Sequence, residues 1–155
     1  MIIGLGNEYR HDDAVGLFVA QQLQGRSLAG VTVLAHSGEG VDLLEVWPGH
    51  MTVFLVDAVC SEAPAGTIHR LDAGAGPIPS RFFHCSTHAF NVAEAIELAR
   101  ALQQLPPYLR LYGIEGKDYS AGVRLSAEVE QAAVAVTREL LGCVCNAKQV
   151  TPLQG

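Results

Sequence analysis

Short apolar runs alternate with longer stretches of helical period along this chain, and that alternation sets the expected architecture. Met1-Ile2-Ile3-Gly4-Leu5 is an apolar run stopped by Gly6-Asn7, which predicts a buried strand entering a loop. Residues 14–23 follow with Val15, Phe18, Val19 and Leu23 at helical spacing, and either Asp12 or Asp13 is placed to cap the free amides at the start of that helix. Residues 31–35 predict a second strand, residues 41–47 a short helix after the turn Gly38-Glu39-Gly40, and residues 52–59 a third strand, apolar at nearly every position. Such a continuous run suits a strand buried on both faces.

Residues 66–71 predict a further strand, and the Gly- and Pro-rich residues 73–80 an exposed loop. Ser86-Thr87 ahead of residues 88–102 reads as an N-capped helix, Pro106-Pro107 breaks the chain, and residues 108–114 read as the last strand. The final helix is expected from Ser126, with Glu128 and Glu130 in its first turn, where the helix dipole favours acids, and Val129, Ala133, Val136 and Leu140 as its apolar stripe. Strands alternating with helices predict one α/β domain over residues 1–145, a mostly parallel sheet covered on both sides, and a disordered tail over residues 146–155. Functional groups in such a sheet gather where the strands end. That rule selects the loops after Leu5 and Val56 and the segment leading into His88.

Composition narrows the partners. The 155 residues, 49% hydrophobic, suffice for one core. Ten Lys and Arg against sixteen Asp and Glu give a formal charge of −6, which argues against a surface built to track nucleic acid. No basic leader precedes the apolar start, and no apolar run approaches the roughly 18 residues needed to cross a bilayer. A soluble, cytoplasmic protein without a membrane partner is expected. Cys60, Cys85, Cys143 and Cys145 have no C-x-x-C spacing, so all four are read as reduced thiols without an assigned role.

The first loop, Gly4 through Asp13, opens with a G-x-G but lacks the third small residue of a dinucleotide fingerprint and carries Asp12-Asp13 where a pyrophosphate would dock. Repulsion argues against a phosphate ligand there. Asp57 ends the apolar run Val53-Phe54-Leu55-Val56, where a buried charge needs a partner, a hydrogen-bond shell or a metal. In His84-Cys85-Ser86-Thr87-His88 an imidazole sits at an expected helix start, where the positive end of the dipole keeps it neutral, the state a divalent metal requires. Two carboxylates and an imidazole on three strand-end loops make an open coordination sphere for nickel, zinc or a similar cation. Asp12 and Asp13 also fit a purely structural role as cap and dipole partner.

These residues resemble the hydrogenase maturation endopeptidases, which trim the large subunit of nickel-iron hydrogenases after nickel insertion. The likeness rests on Gly4-Leu5-Gly6-Asn7, Asp12-Asp13-Ala14-Val15-Gly16, Val56-Asp57-Ala58, Pro64-Ala65-Gly66-Thr67, Ser86-Thr87-His88 and Tyr112-Gly113-Ile114-Glu115, whereas Gly38-Glu39-Gly40 departs from the family's commoner glycine-threonine pattern. It implies a three-layer α/β/α sandwich around a mostly parallel, mixed sheet. It also implies metal-binding, catalytic roles for Asp13, Asp57 and His88, and only the resemblance selects Asp13 over Asp12. The implied substrate is the large-subunit precursor carrying its own nickel, for which another divalent metal can substitute. No Ser-His-Asp or Cys-His arrangement is evident, so the metal would polarise the peptide carbonyl or activate water. His11, His84, Glu39 and Glu115 are read as surface or supporting groups.

Three other readings compete. Peptidyl-tRNA hydrolases share a G-L-G-N start, but the expected histidine-asparagine pair is absent and the acidic balance would repel tRNA. A non-catalytic nickel carrier would use the same ligands. A small-molecule-binding α/β domain would scatter them instead of gathering them in one cleft.

Overall fold

The computed structural model describes residues 1–85 and 90–147. Five strands, β1 (Ile2–Leu5), β2 (Val33–His36), β3 (Thr52–Val59), β4 (Ile68–Asp72) and β5 (Tyr108–Glu115), form one sheet in the order β2-β1-β3-β5-β4. All neighbours run parallel except β4, which pairs antiparallel with β5. Helices α1 (Val15–Gln24) and α4 (Ala127–Ala147) cover one face, and α2 (Gly40–Val46) and α3 (Val92–Ala101) the other. This is the expected three-layer arrangement.

The pleat explains how one apolar strand serves two cores. Side chains alternate across a sheet, so Val53, Leu55 and Val59 of β3 enter the core under α2 and α3, while Phe54, Val56 and Ala58 meet α1 and α4. Asp57 shares the face of Leu55 and Val59, with Gly113 beside it in the β3–β5 register. From β1 the chain winds outward through α1 to β2, then crosses through α2 to β3 on the other side of β1. The carboxyl ends of β1 and β3 therefore flank the crevice where the winding reverses, the usual binding position in an open α/β sheet.

Several expectations are corrected. The first helix is not capped by Asp12 or Asp13: both lie in a 3-10 turn (His11–Ala14), and Ala14 holds the cap position of α1 without a side-chain bond. The third helix begins at Val92, with Asn91 and Glu94 closing a reciprocal capping box, because Asn91 offers the N3 amide an acceptor and Glu94 returns the bond. Ser86, Thr87 and His88, the expected cap and helix start, lie outside the described residues. Residues 73–80 are not simply an exposed loop: Ala73 and Ile78 are buried in the α2/α3 core, and the Arg100 guanidinium donates to the carbonyls of Ala73 and Gly76 at 2.6 and 3.1 Å. Helix α4 runs to Ala147. Among the described residues no helix is long and apolar enough to cross a membrane.

Candidate active site

The loop after β1 is pressed against the sheet by close backbone contacts. Gly16, in the first turn of α1, lies so near the carbonyls of Leu5 and Val56 that a Cβ there would collide with both. Gly6 has φ +144° and equally little room against the Asp13 carbonyl, a conformation open to glycine alone. These two contacts seat the 3-10 turn against the ends of β1 and β3. The G-x-G start serves helix–sheet contact here.

The two neighbouring aspartates have opposite surroundings. Asp12 is fully buried and its carboxylate accepts four hydrogen bonds, from the amides of Lys117, Asp118 and Ser126 at 2.8, 2.9 and 2.6 Å and from the Ser126 hydroxyl at 2.8 Å. It ties the first loop to the segment between β5 and α4. Asp13, 7% exposed, turns into the cleft at the switch point, with Arg10 Nη1 at 3.8 Å from its Oδ2.

Asp57 lines the same cleft, together with Gly6, Gly38, Cys85 and Tyr119. It is 9% exposed, and its Oδ1 accepts the Ala58 amide at 2.8 Å. Burial, reinforced by the negative charge of Asp13, pushes its carboxyl well above the ordinary carboxylate range. Two carboxylates thus share a small cleft against their own repulsion, an arrangement a bound cation would relieve. His88 falls outside the described residues, and among the described residues no group of three His, Cys, Asp or Glu is arranged to hold a metal ion. The structure gathers Asp13 and Asp57 in one cleft.

Two further features were not foreseen. Cys60 and Cys85 form a disulfide, Cα atoms 6.2 Å apart, which corrects the expectation of four reduced thiols; Cys143 and Cys145 are free. The fold makes the pairing possible, because the Cys60 amide donates to the Phe82 carbonyl at 2.8 Å and brings the 3-10 turn Ser80–Phe83 against the end of β3. A separation of 25 residues carries no sequence signature. The second feature is Tyr119, half-buried, whose hydroxyl donates to the Val59 carbonyl at 2.7 Å. Burial is the first cause that raises its phenol far above the ordinary value, and the negative charges of Glu115, Asp57 and Asp13 add to it. It remains a neutral donor.

Ser61, His69 and Glu115 also converge, without forming a nucleophilic triad. Glu115 is 2% exposed and accepts the Ser61 amide at 2.7 Å, the Ser61 hydroxyl at 2.8 Å and His69 Nε2 at 3.2 Å. A triad needs the two ring nitrogens of its histidine to face different partners. Here Nε2 faces both the serine, at 3.3 Å, and the carboxylate. The cluster supplies Glu115 with hydrogen-bond partners and anchors the turn after β3.

Comparison with known proteins settles the family. Residues 19–143 match the HycI family model, described as hydrogenase maturation protease. The chain belongs to the hydrogenase maturation protease family. The matched span contains Asp57 and His88 but begins after Asp13, so the grouping of Asp13 with Asp57 rests on the geometry above. Among solved structures, the hydrogenase maturating endopeptidase HybD from E. coli aligns at 20% identity with a TM-score of 0.77, covering 94% of this chain and 91% of that one. An endopeptidase from Escherichia coli aligns at 22% identity and TM-score 0.79, covering 94% and 93%. The [NiFe] hydrogenase maturation protease HybD from Thermococcus kodakarensis aligns at 19% identity and TM-score 0.66, covering 92% and 97%. At these identities the likeness shows the fold of this maturation protease. No curated protein sequence matches the chain.

Proposed function

We propose that this maturation protease is an endopeptidase that removes a C-terminal peptide from the nickel-loaded precursor of a nickel-iron hydrogenase large subunit, with Asp13, Asp57 and His88 as the residues that meet the metal. The observation that carries the reading is the pairing of Asp13 and Asp57 in one cleft, where burial and mutual charge hold Asp57 above its ordinary range. A divalent cation entering between them would let both carboxylates ionise, so metal binding would be coupled to proton release. Nickel is the substrate's cargo in this account, with another divalent ion able to substitute. Oxygen donors and an imidazole suit such a borderline ion. His88 joins the set through the Ser86-Thr87-His88 likeness.

The chemistry follows from the same groups. The metal would polarise the scissile carbonyl, and a cleft carboxylate would accept the proton of the attacking water and return it to the leaving amine. The test is mass spectrometry of nickel-loaded precursor incubated with the protein, or with Asp13→Ala, Asp57→Ala or His88→Ala. Loss of a defined C-terminal peptide with the wild type alone supports the reading. Tight nickel binding without shortening of the loaded precursor would favour a nickel carrier instead.

A further inference from the structure

The cleft brings a phenol beside the two carboxylates, and the surrounding backbone shows that this phenol is not needed where it rests. Tyr119 lines the cleft with Asp13, Asp57 and Ala58. Its hydroxyl donates to the Val59 carbonyl at 2.7 Å, yet that carbonyl also accepts the Gly116 amide at 3.1 Å. Val59 therefore keeps a partner if the hydroxyl turns away, and the turn leaves no buried acceptor bare. The ring packs directly on Gly116, where a Cβ would collide with the phenol oxygen and ring. The segment carrying it is held by Asp12, which accepts the amides of Lys117 and Asp118, and by Asp118, which accepts the Ser120 amide and hydroxyl at 2.9 and 2.6 Å. The backbone is held in place, and the Val59 carbonyl does not depend on the phenol for its hydrogen bond.

Resting on the endopeptidase reading, we propose that Tyr119 is a further catalytic residue of this chain, whose hydroxyl hydrogen-bonds the oxygen of the scissile peptide carbonyl as that oxygen gains charge. In the step it serves, the water oxygen bonds to the carbonyl carbon and the carbonyl π pair moves onto oxygen. A cleft carboxylate takes the water proton. When the tetrahedral species collapses, the C–N bond breaks, the carbonyl reforms and that proton passes to the amine nitrogen. Tyr119 transfers no proton. It donates a hydrogen bond that strengthens as negative charge builds, in a cleft whose own carboxylates would otherwise oppose that charge.

The experiment is steady-state processing of nickel-loaded large-subunit precursor by the wild type, Tyr119→Phe and Gly116→Ala. Tyr119→Phe keeps the ring and leaves Val59 bonded to Gly116. It is expected to melt within about 2 °C of the wild type, with KM within twofold and kcat lowered by about 10²-fold. Gly116→Ala retains the hydroxyl but displaces the ring, and is expected to lower kcat in the same direction. An unchanged kcat in Tyr119→Phe, or a rise in KM alone, would overturn the proposal. If Tyr119→Phe fails to fold, full turnover by folded Gly116→Ala would overturn it. Failure of the wild type to cleave the loaded precursor would overturn the endopeptidase reading itself.

Discussion

Asp12 and Asp13 are adjacent in the chain and carry the same side chain, and the fold treats them in opposite ways. Asp12 is surrounded by donors from residues more than a hundred positions away, so its charge is answered within the protein. Asp13 faces Asp57 across a cleft in which Asp57 is held above its ordinary pKa by burial and by that neighbouring charge. A satisfied buried carboxylate builds structure. Two carboxylates sharing a buried cleft each raise the cost of charging the other, and such pairs mark candidate functional sites.

The largest stability effect is expected at the satisfied group. Asp12→Ala removes one carboxylate and leaves three amides and a hydroxyl without their acceptor, at a cost of about 4 kcal/mol. That corresponds to roughly 8–16 °C in melting temperature, read by thermal denaturation. A drop of under about 1 kcal/mol would mean that water replaces Asp12 readily and would break the comparison.

Next comes the Cys60–Cys85 bridge, which closes a loop of 25 residues beside the cleft. Opening it with a reductant, or replacing both cysteines with serine, is expected to cost about 3 kcal/mol through the freedom regained by the unfolded chain. Denaturant unfolding with and without reductant measures this. The doubly substituted chain should show no further response to reductant.

A smaller effect distinguishes Asp57 by its sign. Its folded-state pKa is raised, so the folded chain still holds a proton that the unfolded chain has released. Its contribution to stability is full below the unfolded carboxylate pKa and is lost as pH rises through the folded value. Wild type minus Asp57→Asn stability should therefore fall over that window and then level off, and a divalent cation should raise the melting temperature of the wild type more than that of the variant. A difference that rises with pH would show Asp57 to be stabilised in its charged form and would contradict this account.

The smallest effect belongs to Arg70, whose guanidinium meets Glu139 of α4 at 2.7 Å while 48% exposed. Solvent screening limits Arg70→Ala to less than about 1 kcal/mol, measured by denaturant unfolding in low and high salt.

Much of this could be read from the sequence. The apolar runs located the central strands β1, β3 and β5, because a strand buried on both faces leaves little room for polar positions, whereas the half-exposed edge strand β4, Ile68–Asp72, carries polar residues and is marked more weakly. Asp57 stood out for the same reason, as an acid at the end of such a run. The α3 cap is legible in the capping-box spacing of Asn91 and Glu94, but Ser86-Thr87 offers an equally good local signal. Other features were illegible because their partners are distant in sequence. Nothing near Asp12 announces Ser126, nothing near Cys60 announces Cys85, and Tyr119 reaches the cleft only through the path its segment takes back from β5.

The most direct test sets Asp57→Asn beside Asp12→Asn, both incubated with nickel-loaded precursor well below their melting temperatures, with the mass of the precursor followed over time. The account predicts that Asp57→Asn leaves the precursor intact while remaining fully folded, and that Asp12→Asn, though less stable, still removes the C-terminal peptide. Processing by Asp57→Asn at the wild-type rate would contradict it.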